Sequence, residues 1–491
     1  LSMTKPKDRL YLTYHKINSE GKSVNPSYLI GKLKQLIDKL PIINEDENNN
    51  DIEHILSDNG LSYLAEGLRT FGQEDVTDIW KELFVIYQSR EETNEILKKL
   101  IAGAFYVNEE KGIGKEVARL LYGQELEGSV TRLERYAGCA YAHFMAYGMS
   151  LEERREYKLA VPDIGNIFHN AIDNFSKELD TSQYTWHSIP DDVRENMAIK
   201  SVEQAVIDYE NSYIRSTKRN EYLITRIKRI TIRTLWALCN QIKQGSFEPV
   251  GYEMAFKHVP NEAIRLHGRI DRLDVYEDED KVYVRVIDYK SGNTTFDLNS
   301  IYNGLQHQLS VYLSAAMDYL TNRNPDKEVV PSGIFYYHID DPIVDKSNQA
   351  EDDIIKKLKM NGLINQDKKV LSLMDGNLGG PDGSLRPSAK SVIIPAETNK
   401  DGELTKRSSV AKGKEIKALV DYVNKKLIED GKQILLGDTR LNPYRSNNRT
   451  ACDYCEFKTI CGFDSRLPGH GYRNLNKKST EELKKEIFGE D

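Results

Sequence analysis

Long apolar runs are missing from this sequence. No stretch of about 18 apolar residues occurs, which excludes an ordinary membrane-spanning helix. The opening LSMTKPKDRLYLTY has no apolar core of signal-peptide length. Cysteine is scarce too, five in 491 residues (Cys139, Cys239, Cys452, Cys455 and Cys461), far too few for a disulfide scaffold. Without a secretory signal a reducing, cytoplasmic setting is expected, where clustered thiols point to metal. A phosphate loop of the form GxxxxGK[ST] is absent. Gly112-Ile113-Gly114-Lys115 has a superficial likeness, but the spacing is wrong and Glu116 stands where Ser or Thr belongs, so a turn or helix start is the better reading. There is no internal repeat. The chain opens on Leu1 rather than methionine, which points to a piece of a longer chain.

What is present is an ordinary globular composition, 39% hydrophobic and 29% charged, with mean hydropathy −0.58 and net charge −8. The negative sum argues against a surface that is basic all over. It leaves room for a local basic groove, because nucleic-acid binding follows the charge near the phosphates. The length accommodates two to four domains. Patterning predicts a strand over 9–14, a helix over 27–39, a polar stretch over 44–51 and mainly helix over 52–123. A helix capped by Ser129 or Thr131 follows, then one over 164–179 with Asp163 as N-cap. A long helical stretch is expected over 191–244, strands from 251 to 289, a helix over 300–321 and a strand near 332–339. Residues 375–384 read as an exposed loop, 412–431 as a helix, and Ser479-x-x-Glu482 as a capping box.

The chemistry concentrates in residues 263–292, AIRLHGRIDRLDVYEDEDKVYVRVIDYKSG. The charged break from Glu277 to Asp280 separates two β-rich runs and reads as a hairpin loop. If Tyr276 faces Lys281, then Asp271 faces Val286 and Arg269 faces Asp288. Asp271 and Asp288 then share a sheet face as diagonal neighbours, about 7–8 Å apart at Cα. Lys290, two residues beyond Asp288, points the same way and ends an apolar row of Val282, Val284 and Val286. Two carboxylates and a lysine at the end of a buried strand are costly without a purpose. A divalent cation with hard oxygen ligands, Mg²⁺ above all, relieves the repulsion and activates water for attack on a phosphodiester, with Lys290 stabilising charge on the phosphate. An isolated Asp-x-Lys pair is usually a solvated hairpin edge. Asp271 on the same face is what turns the balance.

In the next helix Gln308 and Tyr312 fall one turn apart, suited to orienting a phosphate or supporting Lys290, or to an ordinary helix surface. His169 lies beside an apolar stripe, where a lone histidine is structural more often than a ligand. Cys452-x2-Cys455-x5-Cys461 is a strong metal signal that needs a fourth ligand. Cys239 sits on an apolar helical face and reads as core, so Cys139, beside Gly138, is chosen. Sulfur chemistry alone does not separate Zn²⁺ from a [4Fe–4S] cluster. Arg226, Arg229 and Arg233 recur at helical spacing as a stripe suited to phosphates, and equally well to a solvated face. Arg440, Arg445, Arg449 and Lys458 add positive charge around the cysteines.

The segments SVTRLERYAGCAY, GNIFH, GRIDRLDV, VIDYKSG, QHQLSVY and ACDYCEFKTICGFD run in one order across residues 129–464. Together they resemble the nuclease half of the AddB family, RecB-like members of the PD-(D/E)XK nuclease superfamily. The resemblance implies an α/β fold, a restriction-endonuclease-like core with a central mixed sheet flanked by helices. It divides the chain into a largely helical remnant of a helicase-like region (1–128), the nuclease domain closed by an iron–sulfur clamp (129–464) and a tail with a short helix (465–491). It implies that His169, Asp271, Asp288 and the main-chain carbonyl of Tyr289 hold Mg²⁺, that Lys290 is catalytic, and that Gln308 and Tyr312 complete the site. It implies a [4Fe–4S] cluster on Cys139, Cys452, Cys455 and Cys461. The expected activity is exonucleolytic hydrolysis of an unwound DNA strand in double-strand-break repair and recombination, beside an AddA-type helicase–nuclease partner. Two other readings are a non-catalytic DNA-end-binding scaffold with a relic site, which the intact Asp271, Asp288 and Lys290 oppose, and a stand-alone cluster-containing exonuclease of the CRISPR-adaptation type.

Overall fold

The computed structural model describes residues 5–17, 22–37, 39–44, 60–72, 75–107, 112–154, 159–209, 217–347, 349–380, 382–447 and 449–489. It divides into two compact units, Leu1–Tyr106 and Val107–Asp491. The second unit therefore starts ahead of the 128/129 boundary read from the sequence.

In the first unit helices cover Tyr28–Leu36, Gly60–Thr70, Asp78–Ser89 and Glu91–Ala104. Ser27 and Thr77 cap two of them by accepting backbone N–H groups. Leu64, Leu68, Trp80, Leu83 and Leu97 form a small core. The strand expected over 9–14 is not formed. Those residues are irregular and exposed, with no ladder partner among the described residues. Most of the polar stretch after Asn44 lies outside the described residues.

The second unit is built on a mixed sheet: β1 (Leu126–Gly128), β2 (Glu248–Asn261), β3 (Ile264–Glu277), β4 (Lys281–Lys290), β5 (Glu328–His338), β6 (Asn361–Asn365) and β7 (Val410–Ala411). The order is β1-β3-β4-β5-β6-β7, and β2 pairs with β3. β2–β3, β3–β4 and β5–β6 are antiparallel, whereas β1–β3, β4–β5 and β6–β7 are parallel. β4 is buried on both faces, as its run VYVRVIDY requires. Val282, Val284 and Val286 face one core, with helices α3 (Gln308–Arg323) and α4 (Gly413–Leu435). Tyr283, Ile287 and Tyr289 face the other, with α2 (Val161–Asp180) and the helices Asp191–Asp208 and Lys218–Ile242. The helix α1 (Val130–Gly138) leads into Cys139, and Ser129 is its cap.

Several boundaries differ from the expectations. Asp163 lies inside α2 and accepts the N–H of Ala160, so the helix starts earlier, with Pro162 in its first turn. The stretch 191–244 is two helices, and 300–321 breaks between Leu298–Tyr302 and α3, with Gly304 at φ +83° in the break. The 375–384 turns are not merely an exposed loop, since Leu378 is fully buried. The C-terminal helix Thr480–Phe488 carries the Ser479–Glu482 capping box as expected.

The β3–β4 register is the main correction. Tyr276 pairs with Tyr283 and Glu277 with Val282, so the turn is tighter than expected. Asp278 accepts the N–H groups of Asp280 and Lys281 and closes it. The pairing shifts by two residues, which preserves the faces. Continued past its last pair, Arg272–Ile287, it sets Asp271 opposite Asp288 rather than opposite Val286.

Candidate active site and cysteine cluster

The β3–β4 ladder stops at Arg272–Ile287, while β4 runs on to Lys290 and β3 reaches back to Ile264. The two strands fork there, and the candidate site occupies the fork. Asp271 Oδ2 accepts the N–H of Tyr289 at 2.6 Å, taking over a ladder bond at the branch point. α2 brings His169 to the same place. Its Nε2 lies 3.1 Å from the Tyr289 carbonyl oxygen and its Nδ1 3.2 Å from Glu253 Oε1, with Asp271 Oδ2 3.4 Å from that nitrogen. His169, Glu253 and Asp271 each offer a donor atom within 4.8 Å of the others, an arrangement able to hold a metal ion.

Glu253 was not foreseen. It lies on β2, where the flanking pairs Tyr252–Arg272 and Met254–Ile270 place it opposite Asp271. Its φ is +42°, left-handed backbone in the middle of a strand. Such a conformation costs on the order of 1–3 kcal/mol in a non-glycine residue and persists where the surroundings impose it, commonly at functional sites. An acid inside the β-patterned run GYEMAFKH was the available signal.

On the other side of the fork Asp288, 1% exposed, holds Lys290 Nζ at 2.6 Å from its Oδ2. Lys290 donates to Gln308 Oε1 at 2.8 Å, and Gln308 Nε2 donates to the Tyr312 hydroxyl at 2.7 Å. The two residues one turn apart on α3 therefore fix the lysine. Glu134 of α1, also missed by the sequence reading, accepts the N–H groups of His307 and Gln308 at 2.6 and 3.2 Å and anchors the start of α3. Burial and the nearby Asp271 charge, opposed by Lys290, push the Asp288 carboxyl up to about 7. Burial acts to lower His169, but its hydrogen bonds with Asp271 and Glu253 and their charges outweigh that and raise it to about 10. The His169 shift reports neighbouring carboxylates, and the Asp288 shift reports burial first and the Asp271 charge second.

Beneath the fork, Arg272 and Arg285 are buried around Asp274. Arg272 donates from Nε and Nη2 at 2.6 and 2.7 Å, and Arg285 from Nε at 2.9 Å. Trp186 and Phe247 cover the two guanidinium groups.

Cys139, Cys452, Cys455 and Cys461 line one pocket with Leu441, Pro443, Phe457 and Phe463. All are free thiols, and Cys239 is a separate core residue. Burial pushes the Cys139 thiol up to about 11. Arg135 of α1 pairs with Glu456, and Tyr136 donates to Asp438 at 2.5 Å, so the helix carrying Cys139 is tied to the C-terminal segment.

The arginine stripe is not uniform. Arg226 is exposed, Arg229 lies 2.7 Å from Asp341, and Arg233 stacks 5.5 Å over Trp236. Among the described residues no helix is long and apolar enough to cross a membrane.

Against known proteins, residues 127–462 match the model of the PD-(D/E)XK nuclease superfamily. The chain is similar over 100% of its length, at 49% identity, to the AddB-type subunit of the ATP-dependent helicase/deoxyribonuclease of Lachnoclostridium phytofermentans. It is 35% identical to the protein of the same name from Alkaliphilus metalliredigens, over 99% of the chain, and 33% identical to that from Clostridioides difficile, over 100%. It spans 43–44% of the length of these relatives.

Proposed function

The chain belongs to the PD-(D/E)XK nuclease superfamily, and on that footing we propose that it is a Mg²⁺-dependent deoxyribonuclease that hydrolyses phosphodiesters of an unwound DNA strand from its end. The observation that carries this reading is the convergence of His169, Glu253 and Asp271 beside the Asp288–Lys290–Gln308 chain. The donor set suits a hard cation: carboxylates, a main-chain carbonyl and one imidazole, with protons now balancing surplus negative charge. Asp271, Asp288, His169 and the carbonyl of Tyr289 would hold Mg²⁺, and Glu253 joins them. Bound there, the ion supplies Lewis-acid polarisation of the phosphate and lowers the pKa of a water.

The rest falls to the chain's own side chains. Lys290 is held between Asp288 and Gln308, with its ammonium directed at the fork where a scissile phosphate enters. It neutralises charge as that builds on the phosphate oxygens. Gln308 and Tyr312 act through the lysine as positioning residues. Arg226, Arg229 and Arg233 are proposed contacts for the DNA backbone farther out.

The four cysteines support a [4Fe–4S] cluster. Their meeting in one pocket lined with apolar side chains supplies the four thiolates such a cluster needs. The relatives' name supports the wider setting of an ATP-dependent helicase–nuclease. We place the chain there with an AddA-type partner, in the cytoplasm, acting in double-strand-break repair and recombination. Asp288→Ala is expected to abolish Mg²⁺-dependent cleavage of single-stranded DNA while the circular dichroism and the cluster's visible absorbance stay unchanged. Cleavage by that variant at the wild-type rate overturns the assignment.

A further inference from the structure

The β2–β3 ribbon runs past the fork, with β1 paired to the outer end of β3. One side of it packs inward: Phe256 meets Tyr312 edge-on at 5.4 Å, and His258 hydrogen-bonds Asn424 of α4 at 2.8 Å. Leu266 and Ile270 are buried with them. The alternate residues Ala255, Lys257, His267 and Arg269 are exposed. The register pairs Lys257 with His267 and Ala255 with Arg269, so the three basic side chains share one open face. Between Met254 and Ile270 the only acid is Glu262, at the turn, and Arg265 is engaged by Glu125. Among the described residues Lys257, His267 and Arg269 have no ion-pair or hydrogen-bond partner. This concentration of free positive charge stands out on a chain of net charge −8.

Its position gives it meaning. Arg269 stands two residues from Asp271 along β3, roughly 6.7 Å at the rise of a strand, and Lys257–His267 lies a further two residues out. Building on the nuclease reading, we propose that this face is a backbone track for the DNA strand, on which Arg269 and then Lys257, with His267 beside it, take successive phosphates next to the one in the fork. Ala255, opposite Arg269, leaves the face open for a strand to lie against it. Contacts of this kind guide and hold the strand without reading bases, so the track is indifferent to sequence.

Single-stranded oligonucleotides of mixed sequence, with Ca²⁺ replacing Mg²⁺ in the binding arm, test it on the 491-residue chain. The double variant Lys257→Ala/Arg269→Ala is expected to raise KM for cleavage on the order of tenfold, with the loss in KM rather than kcat. The slope of log affinity against log salt should fall by about 1.4, two phosphate contacts' worth for a single strand. Arg269→Lys keeps most of the affinity that Arg269→Ala loses, because a phosphate contact needs charge more than a particular fork of donors. Lys484→Ala/Lys485→Ala, on the C-terminal helix, is the matched charge control and leaves both readings at wild type. Unchanged KM and salt slope in the ribbon variant, while Asp288→Ala is inactive, overturn the track and keep the nuclease. Wild-type cleavage by Asp288→Ala overturns the nuclease reading itself.

Discussion

Removing the acid–histidine balance at the fork should show up as protons counted on metal binding. Without an ion His169, raised to about 10, carries a full proton at pH 7, and Asp288, pushed up to about 7, carries part of one. A cation bound to both needs them deprotonated, so each ion entering at pH 7 expels between one and two protons. Protons and metal compete for the same donors. Affinity therefore rises with pH, by more than tenfold per unit near neutrality. Above about pH 8 Asp288 has already ionised, and the slope settles to one proton until His169 itself titrates. Calorimetry in two buffers of different ionisation enthalpy, matched in pH and salt, reads the proton number directly. His169→Ala should lower the count by less than one, because losing the imidazolium lets Asp288 hold its proton more firmly. A proton number near zero in the wild-type chain, or the same number with and without His169, refutes the picture of a pocket whose negative charge is balanced by protons.

Asp274→Asn should be among the most destabilising single changes in the second unit, because it strands two buried guanidinium groups. Breaking a buried pair costs about 3–5 kcal/mol, and in a unit of this size that lowers the melting temperature by about 5 °C; a shift under 1 °C in differential scanning calorimetry contradicts the role given to the triad. Cys139→Ser should lower the melting temperature of cluster-loaded protein more than Cys239→Ser does, since Cys139 alone among the pocket thiols links α1 to the C-terminal segment. Equal melting of the two variants would remove Cys139 from the clamp.

The sequence carried the faces of the hairpin but not its register. Alternation along DYK fixed which side Asp288 and Lys290 share, and that survives any shift by an even number of residues. The turn set the final pairing, and there the Asp278 carboxylate, not the length of the charged run, decides where the strands cross. Glu253 was out of reach for a different reason. Its placement depends on a third strand meeting Asp271 and on a positive φ that no local pattern announces. Glu134 hides in the same way, since its function is to receive two N–H groups from a helix more than 170 positions away. The two split helices were misread because apolar spacing alone does not mark a break such as the one at Gly304. Local chemistry was legible wherever neighbouring residues on one element supply it, and across distant elements where scarce cysteines left few choices for Cys139.

The charge ledger of the fork explains why the ribbon and the metal have separate tasks. Glu253, Asp271 and Asp288 bring three carboxylates, against one imidazolium at His169 and one ammonium at Lys290. A phosphate approaching that set without a cation meets net negative charge in a partly buried place, where repulsion is poorly screened. A divalent ion that displaces one or two protons brings the fork close to neutral, so the scissile phosphate meets less repulsion and an open metal site only when metal is present. The exposed bases of the ribbon face no such condition. They attract the strand whether or not the ion is bound, which separates capture of DNA from commitment to cleavage. On this argument, raising pH at low Mg²⁺ should increase kcat/KM through the fork while leaving the share of the salt slope that Lys257 and Arg269 contribute where it was.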